Sequence, residues 1–116
     1  MSDTQKLTQK KCQPCSGQTP LLSPEQVRIY FSQLSGWEMT SDGKGLIKNL
    51  KAKDFQTVLT LVNKMGACAE EENHHPNLYI HHYRNLRIEL STHAIDGLSE
   101  NDFILAAKID KIIASI

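Results

Sequence analysis

The chain has 116 residues, 40% of them hydrophobic, and its thirteen basic and thirteen acidic residues cancel. That length supports one domain with a modest core, and a neutral balance without a dense Lys/Arg run argues against nucleic acid or an anionic membrane as a partner. No apolar run approaches the roughly 18 residues of a membrane span and the first twenty residues lack a signal-peptide core, so a soluble, cytoplasmic protein is expected.

Residues 1–21 are polar and show no periodic apolar face, which predicts a flexible N-terminal arm ahead of a domain spanning 22–116. Within it, "CQPC" sets Cys12 and Cys15 at Cys-x-x-Cys spacing. Zinc needs four ligands and a redox pair normally opens a helix, so the readings are no chemistry at all or a metal shared with a partner chain. With Cys68 the cysteines number three, no disulfide framework.

"SPEQVRIYFSQL" starts with a capping serine, Ser23, then Pro24 and Glu25, and repeats apolar residues at helical spacing through Leu34, predicting a first helix. The period then shortens: Trp37 and Met39 alternate with polar residues, "SDGKG" carries turn chemistry, and Leu46 to Leu50 alternate again. A hairpin turning near Asp42 to Gly45 is expected. Asp54 or Lys53 opens a second helix with Phe55, Val58, Leu59, Val62, Met65 and Ala69 on one face, ending near Asn73 because Pro76 follows. Two alternating runs come next, divided by Arg84 and Asn85 as a turn or bulge, with Leu86, Ile88 and Leu90 facing the core. Ser99 then caps a last helix whose third position is Asp102. The order helix, two strands, helix, two strands, helix implies an α+β fold, a single four-stranded antiparallel sheet with helices packed on one face. The apolar end of the last helix suits burial or contact between subunits.

Four of the five histidines fall between His74 and His82, directly after Glu70, Glu71 and Glu72. Surface histidines are one explanation, best suited to His81 and His82, whose neighbouring positions on a strand would point to opposite faces. A metal site is a second, opposed by the absence of HExxH and by adjacent rather than helically spaced histidines. Acid/base catalysis is the third: His74 and His75 follow a helix end, Glu70 lies one turn before His74, and His93 ends a later strand.

Glu70-x3-His74-His75-Pro76, Tyr83, His93 in "STH" and Asp102 in "GLSEND", with Gly36-Trp37 upstream, resemble the signature of the pterin-4a-carbinolamine dehydratases over everything but the arm. The resemblance implies the same α+β fold, assembly as a homodimer or homotetramer, and dehydration of 4a-hydroxytetrahydrobiopterin to quinonoid dihydrobiopterin. That reaction recycles the cofactor of aromatic amino-acid hydroxylases, so a functional link to a hydroxylase is implied. It needs no metal and no organic cofactor, since imidazoles of ordinary pKa ~6.5 can both give and take protons near neutrality. By the family pattern His74 and His93 give protons to the departing hydroxyl, and His75 holds the pterin and takes the N5 proton. Glu70 orients a histidine or is simply solvated. Trp37 stacks on the pterin or anchors the core, and Asp102 touches substrate or only starts its helix. No family role falls on His81 and His82. A dimerisation or transcriptional coactivator module, and a binder of a related pterin, are the alternatives to this activity.

Overall fold

The computed structural model describes residues 7–13 and 19–116. Three helices, α1 (Pro24–Phe31), α2 (Phe55–Glu72) and α3 (Glu100–Ala114), alternate with strand pairs β1 (Glu38–Met39), β2 (Leu46–Lys51), β3 (Asn77–His81) and β4 (Asn85–Leu90). The strands form one antiparallel sheet in the order β1-β2-β4-β3, the expected α+β arrangement.

Local chemistry starts each helix as its sequence requires. Ser23 and Gln26 make a reciprocal capping box at α1, and the Asp54 carboxylate accepts the Thr57 amide at the start of α2; such caps stabilise a helix by about 1 kcal/mol. In β4 burial alternates, so that Leu86, Ile88 and Leu90 enter the core while Arg87 and Glu89 face outward. Their neighbours Leu46 and Leu50 on β2, and Leu78 and Ile80 on β3, share the core face by register. Val58, Leu61 and Met65 from α2 and Phe103, Ile104, Leu105 and Ile109 from α3 close the core.

The β3–β4 reversal differs from the expected site. His82, Tyr83 and Arg84 form the loop and Asn85 already belongs to β4, because pairing Ile80 with Leu86 and Leu78 with Ile88 keeps all four on one face. His82 and Tyr83 take left-handed φ values of 50° and 53°, a cost the hairpin bears in order to hold that register.

The segment expected as a free arm also differs where it is described. Leu7–Gln9 form a 3-10 turn, and Leu7 lies in the core at 1% exposure. A single apolar side chain has no period to betray it, and residues 10–13 attach chiefly through backbone groups, the Lys10 ammonium and the Cys12 thiol. Cys15 lies outside the described residues. The Cys12 thiol donates to the Asn101 carbonyl.

Candidate active site

Where α2 stops decides the placement of two histidines. Asn73 caps the helix in the left-handed region (φ 54°, ψ 40°), its N–H and that of His74 returning to the last-turn carbonyls, a conformation that asparagine tolerates at helix ends. The chain leaves extended, and Pro76 keeps His75 out of helical geometry. Successive side chains then diverge: His74 turns inward to 8% exposure, whereas the His75 side chain remains 53% exposed.

His74 Nε2 meets Asp102 Oδ1 at 2.7 Å. Asp102 is fully buried, and its other oxygen accepts the Ser99 amide at 2.9 Å and the Thr92 hydroxyl at 2.7 Å, with Ser99 Oγ a further 2.8 Å from Thr92 Oγ1. A buried carboxylate with three donors is well satisfied. An ionised carboxylate in that position accepts from Nε2–H and so favours the tautomer protonated there. Asp102 therefore stands behind His74, fully buried and outside the residues that line the cleft described below. Its side chain contacts His74 and also fills the expected place in the α3 capping box.

His75 Nε2 contacts Glu70 Oε2 at the protein surface. Glu70 thus engages the second histidine of the pair. The third, His93, opens a 3-10 turn (His93–Ile95) after β4, closed by the Asp96 amide on the His93 carbonyl and by a bridge between Thr92 and Gly97. His74, His75 and His93 come together around an open cleft of about 260 Å³, completed by Asn73, Ser91, Thr92 and Ala94. A polar hollow of about 300 Å³ adjoins it through Ser91, Thr92 and His93 and is walled by Lys44, Asp96, Arg87 and Glu89 among others. The hollow alone is at the lower end of the volume of small-ligand sites.

Trp37 lies elsewhere. It is 5% exposed, its indole N–H donates to Asp110 at 2.8 Å, and the Lys48 ammonium sits 5.7 Å from the ring centroid while pairing with Asp110. With its ring so enclosed it anchors the core and lines neither the cleft nor the hollow. His81 and His82 are also outside, exposed at the far tip of the hairpin with their Nδ1 atoms 2.9 Å apart. Among the described residues, no three His, Cys, Asp or Glu side chains are grouped so as to hold a metal ion.

Thr92 and Ser99 are the site residues that sequence reasoning passed over. Their signal was present, a threonine directly before His93 and a cap three positions before Asp102, but it spoke only for local structure.

A family model described as pterin 4 alpha carbinolamine dehydratase matches residues 20–112. The chain belongs to that family. A relative from Alkaliphilus metalliredigens, named provisionally as a pterin-4-alpha-carbinolamine dehydratase, is 44% identical over 106 residues, covering 90% of this chain and 94% of that one. One from Nitrosospira multiformis with the same provisional name is 41% identical, covering 91% of each chain. Among solved structures, a protein from Brucella melitensis described as a transcriptional coactivator/pterin dehydratase aligns with a TM-score of 0.73 at 26% identity, over 78% of this chain and 96% of that one. Family membership and the histidine cleft thus meet in one region, since every residue placed in the cleft falls within the matched span.

Proposed function

We propose that the protein dehydrates 4a-hydroxytetrahydrobiopterin, the pterin-4a-carbinolamine, to quinonoid dihydrobiopterin and water, regenerating the cofactor used by aromatic amino-acid hydroxylases. The observation that carries this reading is the convergence of His74, His75 and His93 on one cleft, with His74 fixed from behind by Asp102.

The reaction breaks the C4a–O bond, forms a C4a=N5 double bond and removes the N5 proton, while a proton added to the leaving hydroxyl releases it as water. It needs an acid and a base on different atoms of one small ring, which histidines spread around a cleft can provide. His74, held in one tautomer and orientation by Asp102, and His93, across the cleft, are assigned the protonation of the hydroxyl. His75 is assigned the pterin ring and the N5 proton, with Glu70 aligning its imidazole. Asp102, Thr92 and Ser99 act as positioning residues. Trp37 is left out of the assignment because its faces are occupied.

Stopped-flow ultraviolet absorbance on chemically generated 4a-hydroxytetrahydropterin tests the proposal, with wild type beside His75→Ala and a chelator in one series. Rapid, His75-dependent and chelator-indifferent loss of the intermediate is the expected result. A folded wild type that fails to accelerate the loss overturns it in favour of an interaction module, the role suggested by the coactivator description of the Brucella melitensis relative.

A further inference from the structure

Residues 7–13 precede the span matched by the family model, yet their attachments fall beside the two halves of the His74–Asp102 pair. The Cys12 amide donates to Glu72 Oε1 at 2.9 Å, and Glu72 is the last residue of α2, two before His74. The Gln13 amide donates to Asn101 Oδ1 at 2.9 Å while Asn101 Nδ2 donates back to the Gln13 carbonyl at 2.7 Å, and Asn101 immediately precedes Asp102. One stretch of backbone is thereby bonded both to the helix end that presents His74 and to the helix start that presents its carboxylate.

Both receiving side chains are buried, Glu72 and Asn101 each at 5% exposure. A buried carboxylate or amide is costly unless its hydrogen bonds are made, and the segment supplies part of that bonding to each. Glu72 also takes the Lys108 ammonium of α3 at 2.6 Å, tying the two helices directly. Burial opposes ionisation of Glu72, but hydrogen bonds from Lys108 and Cys12 and the charges of Lys108 and Lys11 outweigh it and hold the carboxyl below its ordinary value. At the other end of the segment Leu7 is in the core, its amide donating to Gln33.

We propose that Leu7–Gln13 is a positioning strap for the catalytic pair: by bonding Glu72 and Asn101 together it holds the end of α2 against the start of α3 and sets the His74–Asp102 geometry. The proposal rests on the catalytic reading of His74 only for its kinetic consequence; the geometric part stands without it. A displacement of about 1 Å at a catalytic group can cost up to ~100-fold in rate, so a strap remote from the substrate has leverage on turnover.

The test uses the full-length chain, uniformly ¹⁵N-labelled, with Asn101→Ala and, because that buried change can unfold the protein, Gln13→Pro at an exposed position as the second variant. Hydrogen exchange of the His74 Nε2–H is followed without substrate, and kcat and KM are measured separately. The expected result is release of the strap, seen as rapid exchange of the Cys12 amide, together with about tenfold faster His74 Nε2–H exchange and about a tenfold fall in kcat at nearly constant KM. Rapid Cys12 exchange with His74 exchange and kcat both as in wild type overturns the proposal. Should the wild type lack dehydratase activity, the exchange arm alone decides whether the strap positions His74.

Discussion

His74 and His75 are chain neighbours, and each meets a carboxylate, but the two pairs are built differently. Glu70 and His75 touch at the surface, where both side chains are more than half exposed, and such pairs contribute at most about 1 kcal/mol because water competes for both partners. His74 and Asp102 are enclosed, and Asp102 simultaneously caps α3 and accepts the Thr92 hydroxyl. One pair is adjustable and nearly independent of the fold; the other is a part of the fold that also faces the cleft. Of the two neighbouring imidazoles, His75 is held only by a surface contact and His74 by a buried one.

The comparison is most severely tested by Asp102→Ala. It strands three buried donors, so unfolding in urea should show a loss of about 3–5 kcal/mol, with turnover abolished. His74→Ala should lower turnover by about 10²–10⁴-fold and stability by about 1–3 kcal/mol, since Asp102 loses one donor. His75→Ala should lower turnover comparably yet shift stability by less than ~0.5 kcal/mol. Equal stability losses in the two histidine variants would erase the distinction drawn between the pairs.

Acid should weaken the strap. Glu72 and Glu100 both have burial opposing their charged forms and hydrogen bonds that more than offset it, from Lys108 and Cys12 for Glu72 and from Lys10 and Tyr30 for Glu100. Folded-state values below the ordinary 4.5 mean that these carboxylates stabilise the protein above that pH and lose their contribution as pH falls through the depressed values. Urea midpoints between pH 7 and pH 3 should therefore fall mainly below about 4.5, and Glu100→Gln should flatten part of that fall. The smallest effect is expected for His81→Ala and His82→Ala, with stability within ~0.5 kcal/mol and turnover unchanged, as measured by the same urea and stopped-flow assays; a clear loss of turnover would extend the site to the hairpin tip.

Much of this was readable from the chain because it is local. The Ser23 cap, the alternation from Leu86 to Leu90 and the helical period after Asp54 each act within a few residues, and together they determine the order of elements. The three histidines and Glu70 could be picked out because their spacing matches a family pattern. What stayed hidden depends on contacts across the chain. Asp102 looks like any helix-start acid until His74, 28 positions away, is seen against it. Trp37 meets Asp110 of α3 and Lys48 of β2, both distant in the chain, and Leu7 is buried among core residues from far along the sequence.

The β3–β4 hairpin separates two kinds of chain length. Asn77 pairs with Glu89 next to the cleft and His81 with Asn85 at the other end, so a five-residue strand, about 13 Å from first to last residue at the usual rise, lies between the histidines and the loop. The residues joining His75 to His93 can thus grow or shrink at the tip without moving either imidazole, provided that both strands keep their register. In this architecture the number of residues between two site histidines is a poor guide to the distance between them, and a search for related sites should tolerate gaps there while holding Glu70, His74 and His75 rigidly spaced.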